Sequence, residues 1–130
     1  MKSYCRALRV GNVIRVSGTT AHPPPLLASS IGVLGGACAR CQATAVLDII
    51  ARAVRKLGGT MAEVVRTRVM IRKEEHCEAV SLAHGWAFAC EKIRPSNTLV
   101  VAGLIGDDML VEIEAEAVVG GSGMTMVLTD

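Results

Sequence analysis

Aromatic side chains are scarce in this chain, since one Tyr, one Trp and one Phe occur among 130 residues. Three rings cannot form the extended stacking platform that single-stranded nucleic acids require. The formal net charge is only +2, so the chain also lacks a strongly basic character suited to a phosphate backbone. These two shortages together argue against nucleic acid as a partner.

Long apolar runs are also missing, although hydrophobic residues make up 51% of the chain. No segment approaches the ~18 consecutive apolar residues of a membrane-spanning helix. The first ten residues mix Lys2, Arg6 and Arg9 with apolar residues and contain no hydrophobic stretch of an export signal. We therefore expect no membrane partner and a cytoplasmic location.

Cysteine occurs in an odd number, five, in a chain without an export signal, which favours reduced thiols over a disulfide framework. Cys38 and Cys41 form a Cys-x-x-Cys motif. Zinc would need a second ligand pair, and a redox pair would be expected just after a strand, at the start of a helix. A glycine-rich segment, 32–36, precedes the motif instead, and no ligand-pair spacing is found among His76, Cys77, His84 and Cys90. We expect these cysteines to be small, buried helix residues, and we expect no metal and no cofactor. Metal or redox chemistry is the less favoured alternative.

Two segments alternate between charged and mostly apolar residues, which is typical of strands with two different faces. Residues 111–117 place acidic side chains opposite apolar ones: Glu112, Glu114 and Glu116 against Val111, Ile113 and Ala115. Residues 65–72 repeat the pattern with the opposite charge: Arg66, Arg68 and Arg72 against Val65, Thr67, Val69 and Ile71. If both strands belong to one sheet, its charged face meets water, a second subunit or an anionic small molecule.

The remaining elements follow from turn signals and helical periodicity. Residues 37–57 carry an apolar stripe with i, i+3, i+4 spacing that ends before Gly58-Gly59, and residues 74–93 form a second helix that ends before Pro95. Strands are predicted at 4–10, 13–18, 65–72, 98–104 and 109–118, with hairpin connections at Gly11-Asn12 and at 105–108.

The predicted order is β-β-α-β-α-β-β, in a single domain spanning 1–130 with a core at about 4–118 and a tail at 119–130. Right-handed crossovers place both helices on the same face of one mixed sheet, which is an α+β fold. The bare face of such a sheet is a candidate for oligomerisation.

Five blocks of the sequence resemble the reactive intermediate deaminase family, also called YjgF-like proteins, in their order and spacing. The blocks are Tyr4 with Gly11–Gly18, Val64–Arg68, Ala83-His84-Gly85, Pro95–Val101 and Val111–Ala115. The resemblance implies an α+β fold similar to chorismate mutase and a homotrimer whose bare sheet faces pack around the threefold axis. It also implies three small-molecule clefts between subunits, which in that family hydrolyse imines and enamines to ammonia and a 2-keto acid without metal or cofactor.

The resemblance further implies which residues form the cleft. Tyr4 matches the pocket tyrosine, Ser17 and Gly18 match the polar strand edge that contacts the ligand, and Glu112 matches the catalytic glutamate that orients water. Asn97, followed by Thr98, stands where the family has the arginine that binds the substrate carboxylate.

Asn97 is the main departure from the family pattern. Hydrogen bonds to charged groups are worth about 1.5–3 kcal/mol each against roughly 1 for neutral ones, and arginine makes two in parallel. We therefore expect an altered substrate preference, with Asn97 binding a polar, uncharged group. Strand alternation predicts that Arg94 points to the opposite face from Asn97. Arg66 or Arg68, on the charged face of the sheet, is the alternative replacement for the family arginine.

Several candidates also have a structural interpretation. Glu112 acts on water only if it lies beside a leaving group; otherwise it is a carboxylate paired with arginine. His84 is expected to be a packing residue rather than a proton shuttle. The others are expected to be structural: Glu114 and Glu116 on the charged face, and Trp86 and Phe88 in the core or at an interface.

Three functions are compatible with these observations. The leading one is an imine or enamine deaminase with a cleft between subunits. The alternative is a noncatalytic small-ligand-binding or regulatory trimer. A ribonuclease or translation inhibitor is the third, and the charge balance does not favour it.

Overall fold

The computed structural model describes residues 3–90, 94–124 and 127–129. The strands are β1 (Ala7–Val10), β2 (Val13–Thr19), β3 (Val64–Ile71), β4 (Ser96–Val101) and β5 (Val111–Val118). The helices are a single turn, α1 (Ala28–Ile31), then α2 (Ala39–Lys56) and α3 (Cys77–Phe88). The predicted α+β class is confirmed, and α1 lies between the predicted strand 13–18 and the predicted helix 37–57. None of the helices in the described part of the chain is long and apolar enough to cross a membrane.

The strands form one mixed sheet in the order β1-β2-β5-β3-β4. The predicted hairpin between β4 and β5 is wrong, because β5 pairs antiparallel with both β2 and β3, and β4 pairs parallel with β3 at the sheet edge. The crossover through α3 makes β3 and β4 parallel neighbours, so the connection 102–110 must pass the end of β3 to reach the centre of the sheet.

Arg72 holds this long connection in place. Its guanidinium donates to the carbonyl oxygens of Met109 at 2.6 Å and Leu104 at 3.1 Å. Arg72, which was expected on the charged face with Arg66 and Arg68, follows the last residue of β3, Ile71, and its guanidinium contacts this connection.

Helix α2 forms where the apolar stripe was predicted and supplies most of the helical layer. Its stripe buries Val46, Ile50 and Val54 against β2 and β5, while Asp48 and Arg52 pair on the exposed side at 3.0 Å. Helix α3 packs beside α2 on the same face of the sheet, as predicted. Residues 91–93 of the predicted second helix lie outside the described residues.

The sheet has the two faces that alternation predicts. Along β5, Val111, Ile113, Ala115 and Ala117 are buried under the helices, whereas Glu112, Glu114 and Glu116 are half-buried on the other side. We call this other side the open face. On β3 the register shifts between Val64 and Arg66, so Val64 takes the buried position that was predicted for Val65.

The turn before β3 is a capping box formed by Thr60 and Glu63. Glu63 accepts from the backbone N–H of Thr60 at 3.0 Å, and its second carboxylate oxygen accepts from the N–H of Gly120. The start of the C-terminal tail is therefore tied to the start of β3.

The cysteines differ from the prediction. Cys38 and Cys41 form a disulfide, and both are exposed, as are Cys5, Cys77 and Cys90. Cys38 is the N-cap of α2, and its sulfur accepts from the backbone N–H of Cys41 at 3.1 Å. The glycine-rich segment makes this start possible, because Gly35 has a positive φ and a Cβ there would lie 2.6 Å from the Gln42 nitrogen. Within the described residues, no group of three or more potential ligands could hold a metal ion.

Candidate functional site

The predicted site residues fall into two groups, one on each face of the sheet. Glu112 lies on the open face and pairs in register with Met70. Asn97 pairs in register with Thr67, which is buried on the helix side. Since neighbouring residues in register point to the same side of a sheet, one chain does not bring Asn97 and Glu112 into one pocket.

A strand bulge positions Glu112. The register of β2 against β5 shifts between Val16 and Thr19, which inserts an extra residue into β2. The Glu112 carboxylate lies directly against Gly18 in this bulge, because a Cβ at Gly18 would be 2.6 Å from Glu112 Oε1. The position therefore suits glycine, and two of the residues predicted for the cleft, Gly18 and Glu112, lie side by side.

The N-terminal segment is tied to the same bulge. Ser17 donates its hydroxyl hydrogen to the Cys5 carbonyl oxygen at 2.8 Å, and its N–H donates to the Arg6 carbonyl oxygen at 2.9 Å. Tyr4, one residue before Cys5, is 65% exposed. Ser17 thus holds the segment that carries Tyr4 beside the bulge.

Arg6 is a member of this group that the sequence did not single out. Its guanidinium donates to the Gly18 carbonyl oxygen at 2.8 Å and to Thr19 Oγ1 at 2.6 Å. An isolated arginine just before a short edge strand gives no signal of such a contact in the sequence.

The charged residues of the open face mostly pair with one another. Arg68 lies 3.5 Å from Glu114, Arg15 lies 3.7 Å from Glu116, and Arg66 donates to Thr98 Oγ1 at 2.8 Å. Thr98 is therefore on the open face, opposite to its neighbour Asn97. Glu112 differs from the other two glutamates in facing a methionine across the ladder rather than an arginine.

Asn97 lies at a cavity of about 410 Å³ between α3 and β4. We call this the α3–β4 cavity. Its lining combines polar and apolar side chains, among them His84, Phe88, Arg94, Asn97 and Leu99. Trp86 on α3 is 70% exposed, and Phe88 is buried in the core. Of the two helix rings, only Phe88 therefore belongs to the core of this chain.

A chain of hydrogen bonds joins three residues at this cavity. Thr67 donates its hydroxyl hydrogen to Asn97 Oδ1 at 2.9 Å, and Thr67 Oγ1 lies 2.8 Å from His84 Nε2. A hydroxyl has one hydrogen, so Thr67 must accept the His84 contact, and His84 carries its hydrogen on Nε2. Burial lowers the pKa of His84 below its usual 6.5, so the neutral ring is favoured near neutral pH.

His84 is a satisfied packing residue, as predicted, since its ring also lies 4.9 Å from the Phe88 ring. It nevertheless faces the cavity, which the helical pattern alone did not indicate. The signal in the sequence for a polar partner of His84 was Thr67, a hydroxyl residue on the predicted buried face of its strand.

Arg94 lines the same cavity as Asn97. The expectation that it points away from Asn97 is wrong, because β4 begins only at Ser96 and strand alternation does not reach back to residue 94. Arg94 and Asn97 therefore border the same cavity.

The family model described as "Endoribonuclease L-PSP" matches residues 1–119 of the chain. A solved structure from Mycobacterium tuberculosis, Rv2704, described as a member of the YjgF/YER057c/UK114 family, is 34% identical. The match covers 89% of this chain and 86% of that chain with a TM-score of 0.72. An uncharacterised Streptomyces coelicolor protein is 31% identical over 115 residues, covering 88% of this chain and 80% of its own length.

A more distant structure, Escherichia coli TdcF with bound serine, is 18% identical. It matches 91% of this chain and 89% of its own with a TM-score of 0.78, which shows a common fold.

Proposed function

The chain belongs to the Endoribonuclease L-PSP family, which includes the YjgF-like proteins, and we propose that it hydrolyses a small imine or enamine in a cleft completed by a second copy of the chain. The observation that carries this proposal is the Glu112 carboxylate seated on Gly18 beside the segment that bears Tyr4.

Two half-sites support the need for a second copy. The Glu112 half lies on the open face and the Asn97 half lies at the α3–β4 cavity on the helix side. A homotrimer, as the family resemblance implies, would cover the open face of each copy and set one copy's Glu112 half against its neighbour's Asn97 half. The exposed valines at the edge strand, Val100 and Val101, are apolar surface that such packing would remove from water.

The chemistry needs one water molecule and one proton acceptor. Water attacks the carbon of the C=N bond while Glu112 accepts a proton from it, and the proton passes to the nitrogen. The hydroxyl proton of the resulting intermediate then passes to the same nitrogen as the C–N bond breaks, so that the C–O bond becomes a carbonyl and ammonia leaves. No oxidant or reductant is consumed, and the small solvent-facing cleft only has to hold the substrate and the water in line.

Ammonia release from a freshly generated 2-imino acid tests this function. Such an imine is produced in place by an amino acid oxidase, and its spontaneous hydrolysis gives the baseline. We expect the wild-type chain to accelerate release and Glu112→Gln to lose about a hundredfold of that acceleration, which is the low end for loss of a general base. Glu116→Gln is the matched control, because Glu116 faces Arg15 instead of Gly18. Equal rates for wild type and Glu112→Gln would remove the proposal.

A noncatalytic ligand-binding trimer is the second candidate. It is favoured by one observation, that a neutral amide, whose oxygen already accepts from Thr67, occupies the position of the family arginine. If Asn97→Arg releases ammonia and the natural chain does not, the natural chain is a binder. RNA cleavage that survives Glu112→Gln at constant purity would instead support a ribonuclease.

The oligomeric state provides a separate check. Sedimentation at micromolar concentration should give the mass of three chains, and Arg68→Glu, which places a fourth acidic side chain on the open face, should weaken the assembly. A stable monomer would leave the two half-sites apart and contradict the proposed cleft.

A further inference from the structure

The disulfide at the start of α2 lies where a thiolate would be stabilised. Cys38 is the N-cap of an 18-residue helix, and its sulfur accepts from the backbone N–H of Cys41 at 3.1 Å. The N–H groups in the first turn of a helix lack partners within the helix and carry partial positive charge, which favours an anion there. A cysteine in such surroundings is typical of reactive thiols.

The charges near this helix start act in the same direction. Arg40 stands between the two cysteines, and the first turn of α2 contains no acidic residue. Cys77, the first residue of α3, provides the contrast, because three glutamates surround it in the sequence: Glu74, Glu75 and Glu78. Like charges oppose a thiolate at the start of α3, whereas nothing acidic opposes one in the first turn of α2.

A buried amide holds both sides of the cysteine pair without the S–S bond. Gln42, directly after Cys41, donates to the Gly36 carbonyl oxygen at 2.7 Å and to the Asp108 carbonyl oxygen at 2.8 Å. Gly35 packs so closely on the first turn that a Cβ there would lie 2.9 Å from Cys41 Cβ. The segments that carry the two sulfurs are therefore held together when the bond is open, so the second thiol has a high effective concentration for closing it again.

Both sulfurs can be reached from solvent, since Cys38 and Cys41 are exposed. Exposed disulfides are more often labile or catalytic than those protected inside a fold. We propose that these two cysteines form a redox-active pair that exchanges with low-molecular-weight thiols and their disulfides, and that Cys38 is the sulfur that enters the mixed disulfide. The inference goes beyond the proposed function, and neither depends on the other.

Two external thiols balance the exchange. A thiolate attacks Cys38 Sγ, the bond to Cys41 breaks, and Cys41 keeps the electron pair and takes up a proton. A second thiolate then attacks the external sulfur of this mixed disulfide, and Cys38 leaves as a thiolate at the helix N-terminus. The two thiols are oxidised to one disulfide, the pair gains two electrons, and the second thiol proton passes to water. The reverse sequence closes the pair again.

Equilibration of the full chain with reduced and oxidised glutathione at pH 7 tests the pair. After acid quenching and alkylation, peptide mapping by mass spectrometry gives the oxidised fraction of Cys38–Cys41. We expect this fraction to fall reversibly as the share of reduced glutathione rises. A pair that stays fully oxidised in excess reduced glutathione would be a structural disulfide and would overturn the inference. A pair that never closes in oxidised glutathione would overturn it as well.

Two matched serine variants test the role of Cys38. In oxidised glutathione, Cys41→Ser should carry glutathione on Cys38, whereas Cys41 of Cys38→Ser should be modified about threefold more slowly or less readily still. Faster modification of Cys41 would refute the assignment of the attacked sulfur.

Alkylation of the reduced wild-type chain compares the two helix starts. At pH 6 iodoacetamide should modify Cys38 about threefold faster than Cys77 or more, because only the thiolate at the start of α2 is stabilised by its surroundings. Cys77 is the internal control, since it is equally exposed to the reagent but lies among glutamates. Equal rates at the two cysteines would show that the start of α2 does not activate its thiol, and the inference would fail.

Discussion

The two faces of the sheet differ in what makes each of them stable. On the helix side, β5 contributes Ile113, fully buried in a continuous apolar core. On the open face the adjacent residue, Glu114, meets Arg68 in an ion pair whose side chains are about half exposed. One strand therefore contributes burial to one side and weak, solvent-screened charge pairs to the other.

This difference explains where a functional group can be placed. The core side is filled by packing, so a polar residue there is tolerated only when all its atoms are hydrogen-bonded. The open face contributes little to the stability of the single chain, so its residues are available to a ligand or a second copy. Glu112 lies on this side, and Asn97 lies at the rim of the other.

The largest expected effect is loss of packing on the helix side. Ile113→Ala should lower the free energy of unfolding by about 2–5 kcal/mol, because it leaves a cavity in a buried site. Glu114→Ala, its neighbour on the open face, should cost at most about 1 kcal/mol in the same urea titration. Equal losses would mean that the open face is as important to the folded chain as the core.

A buried amide should give the next largest effect. Gln42 donates to the carbonyl oxygens of Gly36 and Asp108 at 2.7 and 2.8 Å and accepts from the Leu110 N–H at 2.9 Å. Gln42→Leu keeps the volume but leaves these groups without partners, so we expect a loss of about 3 kcal/mol. Thr44→Ala on the exposed side of α2 should change stability by less than about 0.5 kcal/mol. A small loss for Gln42→Leu would show that water replaces the amide.

The ion pair between Arg68 and Glu114 should contribute much less. A double-mutant cycle to alanine is expected to give a coupling of about 0.2–1 kcal/mol at low salt. The coupling should decline as salt is added, because both side chains remain accessible to water. A larger, salt-insensitive coupling that depends on protein concentration would indicate that a second copy covers the pair.

The smallest effect concerns the pH dependence of stability. The pKa of His84 is lowered by burial from 6.5, so below that value the unfolded chain takes up a proton that the folded chain does not. The free energy of unfolding should therefore decline as pH falls from 6.5 toward the folded pKa, with no contribution above 6.5. His84→Gln should lack this decline, and His22→Gln, at an exposed position, should retain it. If His84→Gln showed the same pH profile of stability as the wild-type chain, His84 would not be the source of the decline.

The sequence was sufficient for the two-faced strands, α2 and α3, because each pattern involves residues close together in the chain. The same local reasoning failed at the connections. The segment 105–108 has the composition of a hairpin turn, yet β3 separates β4 from β5. Arg94 was assigned by strand alternation, which does not apply before Ser96.

The candidate site was predictable only in part. Gly18 and Glu112 meet, and Ser17 anchors the segment that carries Tyr4, whereas their roles in a cleft stay predictions. Arg6 and Thr67 were not singled out, since their partners are remote in sequence. The cysteine pair was expected to be reduced and buried, but an exposed helix start with a close glycine brings the two sulfurs together.

The sequence by itself determined which residues alternate, which stripe is apolar and where helices end, because these depend on backbone geometry over a few neighbouring residues. The tertiary structure alone decided the strand order, the separation of Asn97 from Glu112 and the meeting of Arg94 with His84 at one cavity. Those outcomes depend on which distant segments pack together, and many pairings satisfy the same local periodicity.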